Sequence, residues 1–256
     1  IGGIDLSAQS MANMVTVVAT VLLGSMGAWV AVFCVLLGAA LGAFSGFVTT
    51  RFFVPSFIST LAVGGVAYSV AQWLSGQRSV SMDAAQRDAL FGWMISKTGG
   101  IPHELIIAAV LLAICWFIER RTVIGRNLKA IGAGELAAVA SGISVAKYKT
   151  AAFALSGALA AFAGLLFAVK LSGGAPSVAN GFLLPAIVAV LVGGTPLTGG
   201  VGGVINTMIG TLIVAVIRAS MLYLDVNATQ QQMFFGLILI AAIALTIDRA
   251  KLRIVK

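Results

Sequence analysis

The sequence predicts an all-α protein that crosses a membrane several times. Hydrophobic residues make up 60% of its 256 residues and charged residues only 9%, whereas soluble domains contain about 25% charged residues. The apolar residues form runs of roughly 20, which is the length that a helix needs to cross the hydrocarbon core. The thirty glycines agree with this class, because glycine is frequent in transmembrane helices and lets neighbouring backbones approach closely.

About eight membrane segments follow from these apolar runs, and together they form one transmembrane domain over residues 1–256. We place them at 6–24, 29–49, 55–75, 103–118, 150–170, 183–194, 203–222 and 230–247. Pro55 and Pro102 fit the first turn of a helix, where the missing N–H of proline costs nothing. The sequence leaves open whether the short segment at 183–194 crosses the membrane or re-enters it.

A charged stretch at residues 119–150 interrupts the apolar pattern, and we call it the coupling loop. It holds six of the sixteen Lys and Arg residues and two of the eight acidic residues. Together with Arg51 and the C-terminal tail at 248–256, it collects eleven of the sixteen basic residues on one side of the membrane. The positive-inside rule therefore places this loop and the C-terminus in the cytoplasm. The loop at 76–102 then faces outward, and it is expected to contain a short amphipathic helix.

The centre of the coupling loop is rich in alanine and predicts a short helix. We expect this helix to begin at Glu135, after a turn at Gly132 or Gly134. A short rigid helix is suited to docking on a partner and passing its motion to the flanking membrane helices. The alternative is a solvated loop that only sets the topology.

Two Gly-rich segments, at residues 1–7 and 193–203, interrupt the helical pattern. Both read Gly-Gly, one residue, Asp or Pro, Leu and a hydroxyl residue, and both precede a long apolar run. Paired interruptions of this kind predict discontinuous helices beside a transport pathway. We expect Asp5 to cap a helix that begins at Leu6. Thr195 and Pro196 are expected to serve as the cap and first residue of the next helix.

Polar groups at these interruptions are suited to hydrogen bonding with a polar solute. The candidate pathway residues are Asp5, Ser7, Gln9, Asn13, Gln72, Thr195, Thr198 and Asn206. The alternative is that Asp5 only caps a helix and that the glycines only allow close packing. A neutral solute is favoured, because these residues are mostly amides and hydroxyls.

Several functional classes receive no support from the sequence. The segment at 193–203 lacks the Lys-Ser/Thr ending of a phosphate-binding P-loop. Cys34 and Cys115 lie in different apolar runs, far from His103, so a metal site is not expected. No Ser-His pair or paired Asp points to an intramembrane enzyme. Asp5 is the only carboxylate at apparent membrane depth, which disfavours a proton relay.

Three motifs resemble the permease subunits of ribose-type sugar ABC importers. They are IGGIDLS at 1–7, GRNLKAIGAGELAAVASGIS at 125–144 and VGGTPLTGGVGG at 192–203. The order and spacing of the motifs also match, and the resemblance covers essentially the whole chain. It implies that further sequence with membrane helix precedes Ile1. The chain departs from the family pattern at residues 8–10, Ala-Gln-Ser in place of Val-Gly-Ser, and at Pro196, where Ser is commoner.

The resemblance implies an ATP-driven importer subunit that moves a monosaccharide across the bacterial inner membrane by alternating access. The chain itself would be neither an enzyme nor a holder of a cofactor, because ATP and Mg²⁺ would bind to a partner ATPase. The expected partners are that ATPase, an extracytoplasmic solute-binding protein and a second permease subunit, identical or different. The implied ATPase contacts are Gly134, Glu135, Ala137, Ala138, Ser141, Gly142 and Ile143. An ion-coupled secondary transporter of a small polar solute is the alternative.

Overall fold

The computed structural model describes residues 1–246, and the basic tail that was predicted to be cytoplasmic lies outside them. Within this range the chain forms eleven α-helices and four two-residue strands. The helices are α1 (Ala8–Met26), α2 (Trp29–Arg51), α3 (Ser56–Ser75), α4 (Ala84–Ile95), α5 (His103–Arg121), α6 (Val123–Ala133), α7 (Glu135–Ala140), α8 (Val145–Leu171), α9 (Leu183–Val192), α10 (Val204–Tyr223) and α11 (Ala228–Thr246). The strands are β1 (Val80–Ser81), β2 (Lys97–Thr98), β3 (Ile101–Pro102) and β4 (Gly173–Gly174).

The predicted class, an all-α protein with several membrane-spanning helices, is confirmed. Among residues 1–246, five helices are long and apolar enough to cross a membrane, namely α1, α2, α3, α8 and α10. The other three predicted segments also fall on helices. Of these, α5 carries charged residues at both ends, and α9 contains only ten residues.

Helix α1 forms the centre of the larger core. All ten residues from Met11 to Thr20 are buried, and α1 packs against α2, α3, α8 and β4. Two of its polar side chains bond the segment that follows β4, since the Thr16 hydroxyl accepts from the Ala175 N–H at 3.2 Å and the Asn13 side-chain oxygen accepts from the Ala179 N–H at 2.6 Å. Facing lipid, these side chains would lack such partners, and a buried polar group without a partner is costly. The polarity of α1 therefore explains its central position.

Helices α2 and α8 cross at glycines spaced four residues apart. A methyl group added to Gly38 would lie 2.4 Å from the Gly157 carbonyl oxygen, and one added to Gly42 would lie 2.1 Å from the Phe153 oxygen. A methyl group added to Gly157 would lie 2.2 Å from the Gly38 oxygen. Small residues at this spacing allow direct backbone contact between membrane helices. The glycine content noted in the sequence thus has a packing role.

The loop predicted to face outward contains the expected short helix, α4. The Asp83 carboxylate caps it by accepting from the Gln86 N–H at 2.7 Å. Strand β1 of this loop pairs antiparallel with β4, which follows α8. The C-terminal end of α8 is thereby joined to the loop at 76–102.

Substitution of Gly42 by Ala is expected to destabilise the α2–α8 crossing. The added methyl group would overlap the backbone of Phe153, and overpacking of this kind typically costs about 1–3 kcal/mol. We expect a lower midpoint of thermal unfolding in detergent. Gly65→Ala is the matched control, because a methyl group at Gly65 would meet no atom within 4 Å. Equal stability of the two variants would contradict the packing role of Gly42.

Candidate transport pathway and coupling surface

The coupling loop forms two helices, α6 and α7. Helix α7 begins at Glu135, as predicted. The break before it falls at Gly134, one of the two predicted positions, where α6 ends and α7 begins with extended backbone, whereas Gly132 lies inside α6. A second turn follows α7 at Gly142, whose φ of +78° favours glycine.

Helix α7 is anchored on its inner side by apolar contacts and one ion pair. Ala138 is 4% exposed and belongs to a small core with Ile131 of α6 and Val145 of α8. At the start of the helix, the Glu135 carboxylate binds the Lys149 ammonium at 2.5 Å. These contacts fix α7 to both helices that flank it, and α8 is one of the helices that cross the membrane.

The opposite side of α7 is exposed and apolar. Leu136 is 88% exposed and Val139 is 57% exposed. They lie three residues apart and therefore share a face of the helix. Of the residues implied to contact the ATPase, Glu135, Ala137, Ser141 and Gly142 are exposed, whereas Ala138 faces the interior. The sequence analysis did not single out Leu136 or Val139, although their apolar pattern within a charged loop was a signal.

The first Gly-rich segment, residues 1–7, is non-helical and is held by side chains of α3 and α8. Helix α1 begins at Ala8, two residues later than predicted, so the prediction that Asp5 caps a helix at Leu6 was wrong. The Asp5 carboxylate instead accepts from the Ser7 N–H at 2.9 Å, the Ser7 hydroxyl at 2.6 Å and the Ser156 hydroxyl of α8 at 2.6 Å. Asp5 therefore ties this segment to α8.

The backbone of this segment is bonded to α3. The Ile4 N–H donates to the Ser56 hydroxyl at 3.0 Å, and the Leu6 N–H donates to the Thr60 hydroxyl at 3.1 Å. Non-helical backbone at membrane depth is tolerated only when such partners are supplied.

The second Gly-rich segment, residues 193–203, is also non-helical. The prediction that Thr195 and Pro196 begin a helix was wrong, since α10 begins at Val204. The Thr195 hydroxyl is buried with no hydrogen-bond partner among the described residues. It lies so close to Gly202 that a methyl group there would be 2.1 Å from the hydroxyl oxygen.

The two Gly-rich segments meet each other and α6. A methyl group added to Gly199 would lie 2.4 Å from the Gly2 nitrogen, and one added to Gly132 would lie 2.3 Å from the Gly200 nitrogen. Substitution at Gly200 would likewise overlap the backbone of Ala133 at 2.8 Å. All three family-type motifs are therefore in backbone contact at one place in the molecule. Their separation along the chain gave no indication of this.

Glu119, at the end of α5, connects α6 with α10. Its carboxylate accepts from the Val204 N–H at 2.7 Å, which caps α10, and binds the Lys129 ammonium of α6 at 2.6 Å. Burial raises the pKa of Glu119, but the hydrogen bonds from Lys129 and Val204 and the charges of Lys129 and Arg120 outweigh it, so the pKa is lowered from 4.5. Sequence analysis missed this residue because its bonded N–H lies 85 positions away.

Gln9 and Asn13 of the candidate pathway are brought together by Asn180, which the sequence analysis also missed. The Gln9 and Asn13 amide nitrogens donate to the Asn180 side-chain oxygen at 3.3 Å and 2.9 Å. We call these three residues the amide cluster. Asn180 precedes Gly181, and an Asn-Gly pair is typical of a turn, so nothing in the sequence pointed to this contact.

The remaining pathway candidates are dispersed. Asp5 and Ser7 lie within one turn of Gln9 along the chain, whereas Gln72 donates to the Tyr68 hydroxyl on α3 at 2.6 Å. Thr198 and Asn206 are exposed and lie near the meeting point of the Gly-rich segments and α9. Over the described part of the chain, no group of three His, Cys, Asp or Glu residues is placed to hold a metal ion.

Comparisons with known proteins agree with this architecture. Residues 1–243 match a family described as the permease component of branched-chain amino acid transport systems. The chain belongs to this permease family. It is 33% identical to the ribose import permease protein of Escherichia coli (strain K12) over 244 residues, which cover 94% of this chain and 76% of that protein.

Two further relatives have names that include other sugars. A xylose transport system permease protein of Haemophilus influenzae is 40% identical over 151 residues, or 59% of this chain and 40% of that protein. A galactose/methyl galactoside import permease protein of Treponema pallidum is 34% identical over 209 residues, or 79% of this chain and 39% of that protein. No solved structure matches the chain.

Substitution of Glu119 by Gln is expected to destabilise the protein by roughly 1–2 kcal/mol at neutral pH, because a charged hydrogen bond is replaced by a neutral one. Lys129 is 43% exposed, so solvent weakens the ion pair. Because folding lowers the pKa of Glu119, the advantage of the wild type is present above its ordinary value of 4.5. It is lost as the pH falls through the lowered pKa.

The measurement is the midpoint of thermal unfolding in detergent, from neutral pH down to about pH 3, which lies below the ordinary pKa range of a Glu carboxyl. Glu104→Gln is the control, because Glu104 pairs with Lys170 at 2.8 Å without capping a helix. A difference between wild type and Glu119→Gln that does not change with pH would contradict the role given to this carboxylate.

Proposed function

We propose that this permease moves a monosaccharide or a related neutral polyol across the bacterial inner membrane by alternating access. As a permease of the ABC importer family, the chain is a membrane subunit and not an enzyme. ATP is hydrolysed in a separate subunit of such importers. The names of the relatives support a sugar as the solute. The amides and hydroxyls around the Gly-rich segments also favour a neutral solute over a charged one.

The exposed face of α7 is the proposed contact with the cytoplasmic ATPase, and this is the observation on which the proposal depends. Leu136 and Val139 present apolar surface to solvent. The opposite side of the same helix packs through Ala138 against α6 and α8. An exposed apolar pair on an ordered helix is typical of a protein interface. The residues Glu135, Ala137, Ser141 and Gly142 border this pair.

Motion of α7 has a direct route to the proposed pathway. The helix packs on Ile131 of α6, and the next residue, Gly132, is in backbone contact with Gly200. Gly199 in turn contacts Gly2. A shift of α7 and α6 would therefore displace both Gly-rich segments together, because closely packed backbones move as a unit. Rigid-body motion of this kind is how alternating access would be driven.

We infer that the chain between α8 and α10 crosses the membrane as a discontinuous segment. Its beginning at Gly173 and Gly174 pairs with the outward loop, and its end at 193–203 contacts α6 of the coupling loop. Residues 175–182 are non-helical, and α9 follows with ten residues, which span about 15 Å. With α5 and α11 as further crossings, the chain would have eight membrane segments with a cytoplasmic C-terminus.

The alternative, an ion-coupled secondary transporter, finds little support among the described residues. Among them, Glu104 and Glu119 lie at the two ends of α5 and are paired with Lys170 and Lys129. The Asp5 carboxylate is already bonded to Ser7 and Ser156. Proton relays in transporters use several acidic or His residues. The proposed partners are the ATPase, a solute-binding protein on the outer face and a second permease subunit, identical or different.

Substitution of Leu136 by Asp is expected to abolish binding of the ATPase subunit. A carboxylate on the apolar face would be buried without a partner at the interface, which costs several kcal/mol. Because Leu136 is 88% exposed, the permease itself should remain folded. The measurement is co-purification of the ATPase, together with ATP-dependent uptake of labelled ribose, xylose and galactose into proteoliposomes that hold the full complex.

Ile101→Asp is the matched control. Ile101 is an exposed apolar residue, at 51%, in the outward loop, and its substitution should leave the ATPase bound. Solute uptake that continues in the absence of ATP and of the ATPase would refute an ATP-driven importer and favour the secondary transporter.

A further inference from the structure

The hydrogen-bond network of the amide cluster fixes the orientation of all three amides. The Gln9 side-chain oxygen accepts from the Leu183 N–H at 3.3 Å, and the Asn13 oxygen accepts from the Ala179 N–H at 2.6 Å. Both side chains must then present their NH₂ groups to Asn180. The Asn180 oxygen therefore faces the cluster, where it accepts both bonds.

As a result, the NH₂ group of Asn180 points away from the cluster. It makes no hydrogen bond to any of residues 1–246, and Asn180 is exposed. The side-chain oxygen of Asn180 accepts from Gln9 and Asn13, whereas the two N–H groups of the same side chain bond none of the described residues. This is a rigidly oriented donor group, and it is supplied by the non-helical segment between β4 and α9.

With the coupling loop in the cytoplasm, as predicted, Asn180 would lie at membrane depth. It precedes α9, whose ten residues place it about 15 Å from the second Gly-rich segment at the inner end of the molecule. The hydrocarbon core is about 30 Å thick. A free N–H donor facing lipid at this depth is costly, so Asn180 needs either water, a solute or another protein group.

A second unpaired donor group lies beside the cluster. The guanidinium of Arg218 on α10 stacks 4.1 Å from the ring centroid of Phe182, two residues after Asn180. Arg218 makes no hydrogen bond or ion pair with the part of the chain that the structure describes, and it is partly exposed. Charged groups inside membrane segments normally face a water-filled cavity or the protein interior. The region around Asn180 and Phe182 therefore has the character of a solvated pathway.

We propose that Asn180 is a solute-contacting residue whose side-chain NH₂ donates a hydrogen bond to a hydroxyl oxygen of the passing sugar. Gln9 and Asn13 are positioning residues that hold its oxygen and so aim its NH₂ group into the pathway. This assignment rests on the proposed function as an importer of a monosaccharide or polyol. It adds a residue outside the family-type motifs and gives it a defined chemical role.

Two substitutions of Asn180 separate solute contact from a structural role. Asn180→Asp keeps an oxygen that accepts from Gln9 and Asn13, but it replaces the outward donor by an acceptor. Asn180→Ala removes both.

The experiment measures ATP-dependent uptake of labelled ribose, xylose and galactose by proteoliposomes with the full complex, alongside assembly and ATPase activity stimulated by the binding protein. We expect Asn180→Asp to assemble and hydrolyse ATP as the wild type does, and to lose about tenfold in uptake of the transported sugar. Gln77→Glu, an amide-to-acid change at an exposed residue of the outward loop, should transport normally.

Three results would overturn the assignment. Normal uptake by Asn180→Asp with loss in Asn180→Ala would show that Asn180 only supports the fold. Loss of assembly in Asn180→Asp would show that its NH₂ contacts another subunit. If the wild-type complex transports none of the three sugars, the proposed function as a monosaccharide importer fails first, and the assignment of Asn180 fails with it.

Discussion

This structure depends on one constraint, which is that backbone N–H and C=O groups within a membrane must form their hydrogen bonds without water. A helix bonds its own N–H and C=O groups inside a bilayer, but a non-helical segment must find partners elsewhere in the protein. Here side chains supply them: Ser56 and Thr60 bond residues 1–7, Asn13 bonds the Ala179 N–H, and Glu119 bonds the Val204 N–H. The position of the few polar residues in this chain follows from where its helices are interrupted.

The positions of several glycines follow from a related requirement, which is close packing of backbone against backbone. Where helices or Gly-rich segments touch through backbone alone, no side chain fits between them, as at Gly42 against Phe153 and at Gly132 against Gly200. In a membrane such packing replaces the hydrophobic driving force that water would provide. Both contacts have the same cause but different consequences. The α2–α8 crossing stabilises the body of the protein, whereas the Gly132 contact links the coupling loop to both Gly-rich segments.

Local patterns in the sequence predicted the features that depend on local physics. Hydropathy located the helices, and the alanines after Glu135 located α7. Charge counting assigned a side to the coupling loop, which stays a prediction. Two of the failures depend on a partner that is distant in the chain. Thr195 was expected to cap the helix after the second Gly-rich segment, but the N–H of the first residue of that helix bonds Glu119. The Asn180-Gly181 pair is typical of a turn, and only the folded structure shows that Asn180 bonds Gln9 and Asn13. Long-range hydrogen bonds leave no periodic signal in a sequence.

Helices α1 and α9 connect the meeting point of the Gly-rich segments with the amide cluster. The first Gly-rich segment leads into α1, which carries Gln9, and α9 leads from Leu183 to the second Gly-rich segment. Gln9 bonds the Leu183 N–H, while Gly2 and Gly199 are in contact at the other end. Because the two elements are joined at both ends, a displacement imposed through α6 would reach the Gly-rich segments and the amide cluster together. In the proposed mechanism, such a displacement would alter the contacts around Asn180, the residue proposed to contact the solute.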